Sequence, residues 1–481
     1  MEARSDLIQI EKLPESAELV PSRFNVRTLV PDGTMVIYNS YTGAFTGFPP
    51  SVVPALESLL HKAGFTGLLQ GLTKYLFERG YLVRRNTNEL DRVRLLFGKH
   101  QYRNDELELI LLTSEECNFR CAYCYETFPR ATMEPWVREA IITLFCNRAP
   151  RLNRFSVSYF GGEPLLGLEA IEQVAPVFQE TCDQHGIRFS SDMTTNGYLL
   201  TPNLFGRLLR WRIKTFQITV DGTPEDHNRQ RTLKGGGETF STIFNNLMGI
   251  KDVRGDFRII LRMNFNQHNA EQVDAFLDTF SPFQNDRRFV LRFYPVGKWG
   301  GPNDDRLEVC GLSGERERQK LTVLASDRGY SVETRMPYIQ ARGALNVCYA
   351  ARPYNLIIGA DGKIMKCTIA LDTRDYNVVG HLTREGRAEI DVDKFTKWVK
   401  PYFEEDTVCK KCHYVPVCQG FSCPIPRIET GERPCPGEKN EIHRTLASIW
   451  HIQQNSGRYQ RLESHLEPNA SQPSEEQCSG M

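Results

Sequence analysis

Residues 107–126 read LELILLTSEECNFRCAYCYE, and the fold and the chemistry of the chain are read outward from this stretch. LELILLT is a short apolar run with the length of a buried strand. Directly after it, Cys117, Cys121 and Cys124 fall within eight residues. A disulfide would leave one of the three thiols over. A zinc ion wants four ligands, and no fourth cysteine or histidine lies nearby. Cys-x3-Cys-x2-Cys can instead hold three irons of a [4Fe–4S] cube and leave the fourth iron open to a small molecule.

From 106 to 296 the chain alternates. Strand candidates are LELILLT, FSVSYFG, RFSSDMTTNG, TFQITVDG, FRIILRMNF and RFVLRFYPV. Between them EPWVREAIITLFCN, LEAIEQVAPVFQETCDQ, NLFGRLLRW, FSTIFNNLMGI and AEQVDAFLDTF have helical length and periodicity. Six strands with five intervening helices predict a parallel α/β sheet or partial barrel, whose active site lies at the C-terminal ends of the strands. The three thiols sit at such an end.

Before this core, residues 1–105 read as a small winged-helix-like unit. RFNVRTLV and GTMVIYNS are strands joined by a turn with Pro31, Asp32 and Gly33. SVVPALESLLHKAG and LLQGLTKYLFERG are short helices ending at Gly64 and Gly80, and YLVRR is a further strand. DRVRLLFGKHQYRNDE reads as a polar connection. Residues 297–347 form a less regular bridge, 348–440 a cysteine-rich domain, and 441–481 a C-terminal helix with a polar tail read as disordered.

The 481 residues are 40% hydrophobic and 25% charged, the composition of a globular protein. With 59 basic and 59 acidic residues the formal net charge is zero, which argues against a nucleic-acid binder relying on a broad basic field. No run of 18 apolar residues predicts a membrane span, and MEARSDLIQIEKLPESAEL lacks a secretory h-region. A cytoplasmic location is expected, where fourteen cysteines suggest metal ligands more than disulfides.

The spacing of Cys117, Cys121 and Cys124, with Tyr123 at the aromatic position before the third cysteine, resembles the signature of radical S-adenosylmethionine enzymes. The later strand ends resemble the family's cosubstrate motifs in order. YFGGEP brings Gly161, Gly162 and Glu163, which the resemblance places at the methionine amino group. TTNG brings Thr195, Asn196 and Gly197. QITVDGTPEDHNRQR has Thr219 where serine is usual, and Arg231 ten residues after Asp221, where relatives hold the methionine carboxylate. Arg229 is the alternative. His227 reads as structural, and no catalytic acid or base is assigned.

Seven later cysteines form a second pattern. Cys348 is followed by thirteen residues, Gly362, four residues and Cys367, then Cys409-x2-Cys412-x5-Cys418-x4-Cys423 and Cys435. This resembles the SPASM extension, with four residues in the last spacing where three are usual. IIGADGKIMKC reads as a hairpin that delivers Cys367. The resemblance implies two auxiliary [4Fe–4S] clusters, three in all. By position Cys409, Cys412, Cys418 and Cys435 hold one, and Cys348, Cys367 and Cys423 the other. The fourth ligand of the second is read as an open site, with Cys310 as the alternative, because Arg342 stands where some relatives have a cysteine. A zinc-ribbon reading of this block is the competing one. Cys146 and Cys182 read as small core residues on helices, and Cys478 as unimportant.

Together the resemblances imply a radical enzyme that binds S-adenosylmethionine, takes an electron from a reductant such as flavodoxin or ferredoxin, and abstracts a hydrogen atom from its substrate. The N-terminal unit favours a peptide maturase. It resembles the element that captures a precursor peptide by its leader, here through the exposed edge of GTMVIYNS or YLVRR, and the product would be a thioether, ether or carbon–carbon crosslink. The alternatives are a sulfatase-maturase-like enzyme making formylglycine and, from another class, a metal-sensing winged-helix regulator. The N-terminal unit lacks a basic recognition helix, so no nucleic-acid partner is expected, and no membrane.

Overall fold

The computed structural model describes residues 18–61, 70–309, 314–334, 348–371 and 374–457. Strand β1 (Leu19–Pro21) leads into an antiparallel meander of β2 (Asn25–Leu29), β3 (Met35–Asn39) and β4 (Phe45–Phe48). Helices Val53–His61 and Gln70–Glu78 follow, then β5 (Leu82–Arg84), which pairs back onto β1. Asp32 shapes the β2–β3 turn by accepting the Thr34 N–H at 2.9 Å. The expectation that GTMVIYNS offers a free edge is corrected: β3 is the middle strand, paired with β2 on one side and β4 on the other. YLVRR does form a strand, β5, joined to β1 along one side. The supposed polar connection is helix Glu89–Gln101. Asn88 caps it by accepting the Leu90 and Asp91 amides, and Val93 and Phe97 are buried.

The core strands are β6 (Glu106–Ser114), β8 (Arg154–Gly161), β9 (Arg188–Thr195), β10 (Ile213–Thr219), β12 (Arg258–Phe265) and β13 (Phe289–Pro295). Two short strands, β7 (Phe119–Cys121) and β11 (Arg231–Leu233), pair with each other beside the rim. The core strands are parallel in the order β13-β12-β10-β9-β8-β6, an open partial barrel as expected. Four expected helices appear as Pro135–Arg148, Leu168–His185, Pro202–Arg210 and Phe240–Lys251. The fifth appears as Val273–Thr279, preceded by a separate short helix, Gln267–Ala270, that a capping box of Asn266 and Asn269 starts. Strand alternation sends Phe155, Val157, Tyr159 and Met193 under the helices. Ser156, Ser158, Asp192 and Thr194 are left on the inner face.

The bridge contains a helix, Gly314–Asp327, packed on β13. Strand β14 (Asn355–Ile358) then joins β6 in parallel. With β15 (Lys363–Met365), β16 (Val378–Leu382) and β17 (Ala388–Ile390) it extends the sheet to ten strands. The expected hairpin is present, pairing Ile357 with Met365 around Gly362 at φ +84°. Helix Ile442–Asn455 returns to the N-terminal meander, where a Cβ at Gly47 would lie 2.1 Å from the Trp450 ring. Val26, Val36 and Tyr38 share one core with Tyr414, Val417 and Trp450, and Phe24, Val93 and Phe97 share another with Phe403, Cys409 and Phe421. The N-terminal unit is thus one wall of the later cysteine segment. Among the described residues no helix is long and apolar enough to cross a membrane. Cys310, Arg342, Cys478 and the polar tail from 458 lie outside the described residues.

Candidate active site

The loop after β6 carries the first three cysteines to the C-terminal rim of the barrel. β7 pairs antiparallel with β11, so Cys121 stands opposite Arg231 in register. The end of β8 presses on the same loop. Gly161 has φ +124°, and a Cβ there would lie 2.1 Å from the Ser114 carbonyl oxygen. At Gly162 it would lie 2.6 Å from the Glu116 carbonyl oxygen. Only glycine permits this approach, which lets Gly162 N–H donate to Ser114 at 3.0 Å and Glu163 N–H to Glu116 at 3.0 Å.

Glu163 is fully buried and ties the second strand-end loop to the third. One carboxylate oxygen accepts the Thr195 hydroxyl at 2.7 Å and the Leu165 N–H at 3.0 Å. The other accepts the Asn196 N–H at 2.7 Å. Three of its roughly four acceptor positions are filled. Burial pushes its pKa up, and these donors pull it back. Asn196 Nδ2 reaches Asn118 at 2.7 Å, beside Cys117, whose sulfur accepts the Phe119 N–H at 3.4 Å.

A second buried network surrounds Tyr123. Its hydroxyl donates to Asp221 and accepts from Arg231 Nη1 at 2.6 Å and Asn264 Nδ2 at 3.0 Å. Arg231 and Asp221 are 3.9 Å apart, and the Asn264 N–H fixes the other Asp221 oxygen at 2.9 Å. Arg231 Nε is buried without a hydrogen-bond partner. Arg229, by contrast, pairs with Asp226 and is 59% exposed. Thr219 ends β10 on the inner face, 8% exposed. His227 accepts the Asp221 N–H at 3.2 Å and meets the Thr239 hydroxyl at 3.1 Å, a positioning contact. Asp221 was named in the sequence only as a reference point and Asn264 not at all. The only signal for Asn264 was a polar residue near the C-terminal end of a core strand.

The ten thiols fall into three groups in space. Cys117 feels Cys121, and Cys124 feels both; Cys348 feels Cys367 and Cys423, and Cys423 feels Cys367; Cys418 feels Cys412, Cys409 and Cys435. Desolvation is the larger cause throughout. It pushes Cys117, Cys348 and Cys418 up to about 12 and Cys124 still higher. Iron would replace those protons with positive charge, so grouped thiols that are buried or half-buried, with Cys435 alone of the ten exposed, suit a cluster. Among the described residues no three His, Cys, Asp or Glu side chains converge tightly enough for a single ion. Asp406 braces the later group: it accepts the Cys409 N–H at 3.2 Å and Arg433 at 2.7 Å, which holds its pKa far below the carboxylate range. Cys182 is buried as expected of a core residue. Cys146 is exposed, correcting that reading, because it lies on the outer side of its helix.

An open parallel α/β barrel with thiols and an ion network at its C-terminal rim carries its candidate site where barrels of this class carry their active sites. The particular class follows from comparison. Residues 111–280 match the family described as Radical SAM superfamily, so the centre of this chain is a radical SAM domain. The chain is 21% identical over 302 residues to Radical SAM cyclopropyl synthase TigE of Paramaledivibacter caminithermalis, covering 54% of this chain and 61% of that protein. It is 26% identical over 349 residues to a Cysteine-type anaerobic sulfatase-maturating enzyme of Clostridium perfringens, covering 65% of this chain and 87% of that protein. In fold it is similar to native anSMEcpe with bound AdoMet and Kp18Cys peptide, with a TM-score of 0.57, 17% identity and coverage of 74% of this chain and 100% of the other.

Proposed function

We propose that the protein is a radical S-adenosylmethionine peptide maturase that installs a crosslink in a ribosomally made precursor. The observation that carries this reading is the meeting of Cys117, Cys121 and Cys124 with the Glu163 and Arg231 networks at one barrel rim. Bound S-adenosylmethionine supplies, on one-electron reduction, methionine and a 5′-deoxyadenosyl radical that takes a hydrogen atom from substrate. The chain's own part is to bind and orient. Cys117, Cys121 and Cys124 ligate the catalytic cluster. Gly161 and Gly162 admit the cosubstrate's methionine end, with Glu163, Thr195 and Asn196 around its ammonium and Thr219 beside it. Arg231, whose Nε lacks a partner, takes the carboxylate, and Tyr123 positions that arginine.

Cys409, Cys412, Cys418 and Cys435 hold one auxiliary cluster, and Cys348, Cys367 and Cys423 another with an open position, three [4Fe–4S] clusters in all. Flavodoxin or ferredoxin supplies electrons in the cytoplasm. The leader of the precursor adds as a strand to the β1–β5 ribbon. Support for a peptide substrate comes from the N-terminal unit and from the similarity to a maturase solved with a peptide. A second reading, oxidation of a sulfatase cysteine or serine to formylglycine, is favoured by the 87% coverage of the Clostridium perfringens enzyme.

Anaerobic reconstitution with iron, sulfide, S-adenosylmethionine and reductant tests the class. Formation of 5′-deoxyadenosine is expected, and its absence in a fully iron-loaded protein rejects the reading. Incubation with short peptides encoded beside the gene, with and without their leaders, and with a sulfatase peptide then separates the two substrates. Crosslinking that needs the leader supports the first, and formylglycine supports the second.

A further inference from the structure

Several buried and half-buried arginines among the described residues are neutralised. Arg138 pairs with Glu169, Arg318 with Glu315, Arg352 with Glu108 and Arg427 with Asp406. Arg292 is held by Glu333 and Gln217. Arg262 is different. It lies on β12 between Leu261 and Met263, which are buried under the helices, so its side chain enters the barrel. In register it stands opposite Thr219 on β10 and Arg292 on β13.

Two contacts hold the guanidinium without neutralising it. Nε donates to Asn264 Oδ1 at 2.8 Å, and Cζ sits 4.3 Å over the Tyr294 ring. No carboxylate among the described residues forms an ion pair with it. Asp221 feels its charge, but that carboxylate is taken by Tyr123 and by the Asn264 N–H. The two terminal nitrogens of the fork make no hydrogen bond or ion pair with the described residues. The guanidinium is half-buried, and desolvation lowers its pKa from the ordinary value.

Two sources of anion, cosubstrate and substrate, come near this guanidinium, which shares Asn264 with Tyr123. Arg231, beside Cys121, is the guanidinium next to the catalytic thiols. Arg262 lies within electrostatic reach of both Tyr123 and Tyr125, and Tyr125, a half-buried phenol, is in turn within reach of Cys124 and Cys367. That is the space between the catalytic thiols and the later group of Cys348, Cys367 and Cys423. We propose that Arg262 binds a carboxylate of the substrate, an acidic side chain or a chain end, and so fixes the substrate between the two groups of thiols. The fork geometry suits a bidentate carboxylate contact. The inference rests on the proposed function for its choice of substrate over cosubstrate.

The test uses the reconstituted holoenzyme and the variants Arg262→Gln and Arg262→Lys, with iron content and thermal unfolding as checks of folding. The probes are the N-acetyl amides of aspartate and glutamate and their asparagine and glutamine counterparts, titrated with S-adenosylmethionine present. Wild type should bind an acidic probe at least about tenfold tighter than its amide, the range a charge-assisted contact gives. Arg262→Gln should lose that preference and Arg262→Lys should keep part of it. S-adenosylmethionine binding, read by equilibrium dialysis, should change less than about twofold, since each tenfold step is a full charge-assisted contact. No acid preference in wild type, or a preference that survives in Arg262→Gln, overturns the proposal. Tenfold weaker S-adenosylmethionine binding by Arg262→Gln, with no acid preference in wild type, assigns the residue to the cosubstrate and also overturns it. A wild type that binds acidic probes but makes no 5′-deoxyadenosine would fail the proposed function and leave the carboxylate site standing.

Discussion

Gly161→Ala should be the most damaging single methyl addition at the rim. At φ +124° alanine is strained, at about 1–3 kcal/mol for such a conformation. Its Cβ would also lie 2.1 Å from the Ser114 carbonyl oxygen, and that obstacle is backbone of β6, not the end of a flexible side chain. Overpacking of this kind costs about 1–3 kcal/mol more. Relief requires the β8 end to lift off the cysteine loop, which breaks the 3.0 Å Gly162–Ser114 hydrogen bond. A total of about 4 kcal/mol is expected, midway through the combined range. Gly206→Ala is the control. That glycine lies in helix Pro202–Arg210 with nothing within 4 Å of its added Cβ, so alanine should stabilise by up to about 1 kcal/mol. Urea unfolding of the iron-free, reduced proteins measures both. If Gly161→Ala unfolds within about 0.5 kcal/mol of wild type, the size of an ordinary surface change, the tight crossing of β6 and β8 is not what demands glycine there.

Asp192, half-buried on the inner face with the Ser158 hydroxyl at 2.8 Å, is pushed from 3.8 to about 6 by desolvation. A carboxyl whose folded pKa is raised stabilises fully below its unfolded value and loses that contribution as pH rises through the folded one. Wild type should therefore lose up to about 3 kcal/mol between pH 4 and pH 6 from this group. Asp192→Asn should be the more stable protein at pH 7, the gap closing toward pH 4, as read by unfolding at several pH values; a gap that does not change with pH contradicts the assignment. Trp450→Ala should cost about 3–5 kcal/mol and loosen the N-terminal meander from helix Ile442–Asn455, because the ring fills the space over Gly47. Limited proteolysis should then release the first hundred or so residues early, and an unchanged digestion pattern would show that Phe24, Val93 and Phe97 suffice to hold them.

The barrel was legible because its signal is periodic and local. Each core strand is an apolar run ending in a polar or glycine-rich turn, and the long helices show the 3.6-residue repeat. The closeness of Cys117, Cys121 and Cys124 was legible because their spacing in sequence puts them in and beside one short strand, β7. What escaped depends on long-range packing. Nothing in GTMVIYNS announces that β4 will pair on its far side, so its edge was misjudged. Helix Glu89–Gln101 buries few residues against distant elements, and its weak periodicity hid it. The burial of Cys409 beneath Phe97, and the convergence of Asp221, Asn264 and Arg231 on one tyrosine hydroxyl, join residues tens to hundreds apart in sequence. No single-sequence pattern contains those contacts.

The central claim is that Cys117, Cys121 and Cys124 hold the cluster at which S-adenosylmethionine is cleaved. The measurement that tests it most directly compares wild type with the triple alanine variant after anaerobic reconstitution, counting iron and 5′-deoxyadenosine in the same samples. The variant should lose about four irons per chain, one cubane's worth, keep the iron of the later cysteines, and form no 5′-deoxyadenosine. A triple variant that still makes 5′-deoxyadenosine would contradict the account.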